Sequence, residues 1–163
     1  MRSINYLLIA VLLHGGCGSV LGQNEIPTLT LEQVLSIRQE ADQGDAVAQL
    51  KLGVLYQNGW GGLPQHYQLA VKWWRKAAEQ GDAKAQKNLG NMYRAGEGVP
   101  QDYVLAHKWY NLAAAQEVKG VKLAAKEGRE ASVQRMTPSQ IQEAWKLARE
   151  FKPKKEKPKK ENP

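Results

Sequence analysis

An all-α fold is predicted for this chain: a short solenoid of two helix-pair repeats held between capping helices. Three observations predict it. A long segment occurs twice, with Ala41–Gly59 lying over Ala78–Gly96 at an offset of 37 residues. Apolar side chains in each copy recur every three to four positions, the period of an amphipathic helix. A length of 163 residues with 42% hydrophobic and 24% charged side chains allows roughly one domain with a buried core, which excludes a globally disordered chain.

The formal net charge of +7 is unevenly placed. Met1 to Gly22 holds one basic residue, and Lys152 to Pro163 holds six lysines against two glutamates. The segment between carries 16 basic and 14 acidic residues, so the body is nearly neutral and the basic character belongs to the tail.

Residues 1–22 read as an export signal: Arg2, an apolar run from Ile4 to Leu13, then small residues. The run is shorter than the roughly 20 residues a bilayer span needs. Cleavage between Gly22 and Gln23 would release a secreted or periplasmic chain. The rival is a lipoprotein anchor at Cys17, in a context that resembles a bacterial lipobox; His14 stands where that motif has Leu, which favours plain secretion. A chain starting at Gln23 has no cysteine, hence no disulfide, thiol nucleophile or thiolate metal site.

Residues 23–40 form an N-terminal segment and capping helix. Thr30-Leu-Glu-Gln33 has capping-box form and opens a helix carrying Leu31, Val34, Leu35 and Ile37 up to Gln43, the expected N-terminal cap. Residues 41–116 hold the two repeats, about 41–77 and 78–116, each a pair of helices. In the first helix of each pair Ala48, Leu52 and Tyr56, then Ala85, Leu89 and Tyr93, form a stripe. Gly53 and Gly90 sit within these helices, where glycine costs about 1 kcal/mol relative to alanine, so a close neighbouring helix is expected there. In the second helices Trp73, Trp74, Trp109 and Tyr110 alternate with alanines and fill the spaces those alanines leave.

The junctions carry helix punctuation. Gly44-Asp45 and Gly81-Asp82 put glycine past one helix and a capping aspartate before the next. Asp102 is expected to cap the second helix of the second pair, with His66 a weaker cap in the first. Residues 117–151 supply C-terminal capping helices, one over Val118–Met136 weakened by Gly120 and Gly128. The last starts at Thr137-Pro138 and turns Ile141, Ala144, Trp145 and Ala148 to the array, because a short solenoid must cover its end repeats. Seven helices and no strands are expected. Residues 152–163, rich in Lys and Pro, are expected to be a disordered, extended tail.

The run Gly-Asp-Ala-x-Ala-Gln-x-x-Leu-Gly-x-x-Tyr, then Gly-x-Gly-Val-Pro-Gln-Asp-Tyr, then Ala-x-Lys-Trp-Tyr-x-x-Ala-Ala, from Gly81 to Ala114, closely resembles the Sel1-like repeat, a relative of the tetratricopeptide repeat. The resemblance implies a right-handed solenoid of helix pairs and a role in binding protein partners. Arg135–Glu150 resembles the final helix of many bacterial members. Trp60-Gly-Gly-Leu63, His66 and the lack of paired cysteines depart from the pattern.

No catalytic constellation emerges from the residue types. His66 and His107 stand in different repeats, without cysteines or a carboxylate cluster, and read as two surface or rim histidines; no metal or other cofactor is expected. The serines lack a nucleophile-elbow context, and no phosphate-binding glycine loop is present. The chain is therefore read as a non-catalytic scaffold of the bacterial cell envelope.

By analogy with tetratricopeptide arrays, the first helix of each pair lines a concave groove. Val47, Leu50, Val54 and Asn58 would give it an apolar strip and Lys84, Lys87, Asn91 and Arg94 a basic one, suited to a peptide with an acidic end. An alternative is attachment to anionic envelope polymers or lipid headgroups through these lysines and the tail. Nucleic acid is not an expected partner, since the tail has no aromatics to stack on bases.

Overall fold

The computed structural model describes residues 29–154. Residues 1–28, with Cys17, Gly22 and Gln23 and the stretch read as an export signal, and residues 155–163 of the basic tail lie outside the described residues. Seven helices occur among the described residues, with no strand: α1 (Leu31–Asp42), α2 (Ala46–Asn58), α3 (Tyr67–Glu79), α4 (Ala83–Ala95), α5 (Tyr103–Ala114), α6 (Val121–Val133) and α7 (Pro138–Arg149). Each packs on its successor up to α6, and α7 folds back on α5.

Local chemistry sets the boundaries. The Thr30 and Thr137 side chains complete capping boxes with Gln33 and Gln140, and Asp45, Asp82 and Asp102 accept from backbone N–H groups three residues on. His66 does cap α3, its Nδ1 accepting from the Leu69 N–H at 3.3 Å, longer than the 2.9 Å bond at Asp102. Gly44 and Gly81 have φ of +103° and +101°, a left-handed conformation that side chains other than glycine rarely adopt.

Close approach explains the helical glycines. A Cβ at Gly53 would lie 2.4 Å from the Trp74 indole nitrogen, and one at Gly90 2.8 Å from the Tyr110 ring. The glycines let a large aromatic lie directly on the helix backbone, and this contact offsets their propensity cost. Gly128 belongs with them: a Cβ there would be 2.5 Å from the Tyr110 ring as well, so its role is packing as well as weakening the helix. Helix α6 stands against α5 as a further first helix would.

Buried glutamines link the repeats. Gln49 and Gln86 donate to the Ala41 and Ala78 carbonyls, and Gln80 and Gln116 each donate to the preceding Gln side chain (Gln49, Gln86) and to a glycine carbonyl (Gly44, Gly81). Each interior amide is thus paired, as burial demands.

Leu31 and Leu35 are 70% and 56% exposed, so α1 covers the array with Val34, Ala41 and part of Ile37. His107 is buried, not a rim residue: α7 covers it, and the Trp145 ring meets its edge at a centroid distance of 5.3 Å. Trp145 leaves 40% of its own surface in solvent, while Ala144 and Ala148 are buried. Beyond α7 the chain turns back over the array. Phe151 packs edge-on against Trp109, Pro153 reaches Gly81, and the Lys154 N–H donates to the Glu79 carbonyl at 2.8 Å.

Candidate partner-binding groove

The first helices of the two repeats share a cleft of about 590 Å³. Its apolar wall is built by Leu50, Val54 and Leu55 of α2, Ile37 of α1, and Leu29 and Trp60 from the flanking segments. Lys51 of α2 and Lys84, Lys87 and Asn88 of α4 bring polar groups to it, and Gly120 and Val121 at the start of α6 close it. The helical period places Leu50 and Val54 four residues apart on α2, and Lys84, Lys87 and Asn88 on one face of α4.

Four of the eight groove residues expected from the sequence, Leu50, Val54, Lys84 and Lys87, line this cleft together. Val47 is 55% exposed one turn before it. Asn58, exposed at the end of α2, donates to the Val54 carbonyl. Asn91 and Arg94 are drawn to the Tyr110 hydroxyl, which donates to Asn91 Oδ1 at 2.6 Å and accepts from Arg94 Nε at 3.2 Å. Burial raises the Tyr110 pKa, opposed by the Arg94 bond and charge. Lys51, Asn88, Trp60 and Ile37 were not foreseen. Lys51 and Asn88 do follow from the α-helical register beside Leu50 and Lys87, whereas Trp60 and Ile37 enter through the Gly61-Gly62 turn and the angle of α1.

The repeat-defining residues stand where packing needs them. Leu52, Gly53, Tyr56, Trp73, Leu89, Gly90, Tyr93 and Trp109 are buried, and Gly44, Asp45, Gly81 and Asp82 make the turns and caps between pairs. Among the described residues no group of three His, Cys, Asp or Glu side chains could hold a metal ion, and no helix is long and apolar enough to cross a membrane.

The model of the Sel1 repeat family matches residues 46–82 and 83–118. The chain carries two Sel1 repeats. Among solved structures it is similar to c5321, described as a protective antigen present in uropathogenic Escherichia coli strains displaying an SLR fold. The TM-score is 0.69 and the identity 35%, over 74% of this chain and 25% of that one. It is also similar to a Sel1 repeat protein from Oxalobacter formigenes, with a TM-score of 0.56 and 30% identity over 74% of this chain and 50% of that one. The chain thus spans between a quarter and a half of the length of these structures. No curated protein matches it. Sel1 repeat proteins generally mediate protein–protein interaction, and the cleft lies on the first helices of both Sel1 repeats.

Proposed function

We propose that this protein is a non-catalytic interaction scaffold of the bacterial cell envelope, exported to the periplasm or beyond, that holds a protein or peptide partner in the cleft between α2 and α4. The observation that carries the reading is the pairing within one cleft of an apolar wall, Leu50 and Val54, with the ammonium groups of Lys51, Lys84 and Lys87. Apolar surface recessed in a groove and edged by charge is the arrangement by which helical arrays seat an amphipathic segment. The partner's matching chemistry is an apolar side chain followed by carboxylates.

The test is an affinity capture from envelope extract with three forms of the chain: unaltered, Lys84→Glu with Lys87→Glu, and truncated after Glu156. The truncation spares Phe151–Lys154, which pack on the array. Arg94 stays unaltered because its reversal would disturb Tyr110. A protein retained by the unaltered and truncated chains and lost with the charge reversals supports the groove. Capture abolished by the truncation alone would replace it with binding of anionic polymers or lipid through the tail.

A further inference from the structure

Independently of the groove, we propose a second binding site: a cationic hollow between α3 and the α4–α5 turn that holds the phosphoryl group of a small phosphorylated molecule. The hollow has a volume of about 340 Å³, within the range of small-molecule sites, and shares no lining residue with the cleft. Lys72, Arg75 and Lys76 bring three positive charges to it from α3, and Gly98 and Val99 of the turn form the facing wall.

Packing builds this shape. Lys72, Arg75, Lys76 and Glu79 recur at steps of three and four residues, so they share one face of α3. A Cβ at Gly98 would lie 2.6 Å from the Tyr67 carbonyl carbon, so the turn rests directly on the first residue of α3. Two of the three cations are also held in place. Arg75 donates through Nη2 to the Tyr93 hydroxyl at 2.6 Å, and the Lys76 ammonium stands 4.2 Å from the Trp73 ring centroid. A guanidinium has five N–H donors, so the bond to Tyr93 leaves others for an oxyanion.

The protein leaves this charge uncompensated. Among the described residues none of the three cations forms an ion pair. The carboxylate in the lining, Glu79, is paired with the Lys154 ammonium at 2.5 Å, and its charge also acts on Lys108. Nor does the fold require the cluster: the 36-residue offset puts Lys108, Asn111 and Leu112 at the corresponding positions of α5. Like charges three and four residues apart destabilise a helix, so the cluster works against α3 unless an anion occupies the hollow. A phosphate ester carries close to two negative charges and three acceptor oxygens. It can therefore engage the Arg75 fork and both ammonium groups at once, which a carboxylate cannot.

The experiment titrates the full chain with glycerol phosphate, with acetate, and with vesicles containing phosphatidylglycerol, at constant ionic strength, and follows amide resonances. Glycerol phosphate is expected to shift Arg75, Gly98 and Val99 saturably, with acetate at least tenfold weaker. Lys72→Gln with Lys76→Gln is expected to weaken the affinity tenfold or more. Lys119→Gln with Lys126→Gln, which removes the same charge from exposed positions elsewhere, leaves it within twofold. Absence of a saturable shift overturns the proposal, as does equal binding of acetate. Equal weakening by the two double variants also overturns it, because the attraction is then general. Binding confined to the vesicles would replace the small molecule with a lipid surface.

Discussion

In the first repeat Trp74 lies on Gly53 and donates its indole N–H to the Leu50 carbonyl; in the second, Tyr110 lies on Gly90 and bonds the Asn91 and Arg94 side chains. The backbone solution is shared, but the polar end of the aromatic is satisfied differently, and this changes what remains for the groove. Val54 corresponds to Asn91: because Trp74 takes its partner from the main chain, Val54 stays free to line the cleft, whereas Asn91 is committed to Tyr110. The apolar wall of the cleft therefore belongs to α2, and α4 contributes to it through Lys84, Lys87 and Asn88. A second difference lies deeper, where Val71 of the first repeat is replaced by His107 beneath α7.

The comparison is broken most severely at the aromatics. Trp74→Ala removes the largest fully buried side chain and is expected to cost about 3–5 kcal/mol in urea unfolding, while Tyr110→Phe, which deletes only the hydroxyl, costs about 1 kcal/mol. A smaller ratio between the two would mean that the repeats tolerate a void by shifting past each other.

Acid separates the repeats next. Burial, with Arg129 nearby, lowers the His107 pKa from 6.5 to about 4, and its Nδ1 has no hydrogen-bond partner. An unfolded chain takes up this proton near pH 6.5 and the folded chain only near pH 4. The stability tied to neutral His107 is thus complete above pH 6.5 and is lost as pH falls through that window, up to roughly 3 kcal/mol. Unfolding midpoints measured from pH 7 to pH 4 are expected to show this slope, and His107→Val, which copies the first repeat, to flatten it. An unchanged slope in that variant would assign the acid sensitivity to other groups.

The smallest effect sharpens the comparison at the helical glycines. The closer approach at Gly53, 2.4 Å against 2.8 Å at Gly90, predicts that Gly53→Ala destabilises by about 2–3 kcal/mol and Gly90→Ala by about 1–2, each net of the helix-propensity gain. Equal losses at the two sites would show that the indole moves aside as readily as the phenol.

Much of the fold is legible in the sequence because it rests on local chemistry written twice. Gly-Asp junctions, the threonine caps and the four-residue apolar spacing each act within one or two turns, and they mark α1, α2, α4 and α7, whereas α6 begins at Gly120 with no side-chain cap. What the sequence obscures is non-local. His107 looks like a rim histidine until α7 returns from some 40 residues downstream to cover it, and Leu31 and Leu35 fit an apolar stripe that the angle of α1 turns outward. In the candidate groove, register alone places Leu50, Val54, Lys84 and Lys87. Asn91 and Arg94 share that stripe, but a hydroxyl on another helix draws them away, and periodicity carries no sign of such a partner.

The claim that the cleft is the partner-binding surface is tested most directly by site-specific photo-crosslinking in envelope extract. A photoreactive side chain is placed in turn at Val54, at Asn88 and at Gln68, an exposed position on α3 outside the cleft. The account predicts one common crosslinked protein from Val54 and Asn88, none from Gln68, and loss of the adduct in the Lys84→Glu, Lys87→Glu background. Equal crosslinking from Gln68, or an adduct indifferent to the charge reversals, would contradict it.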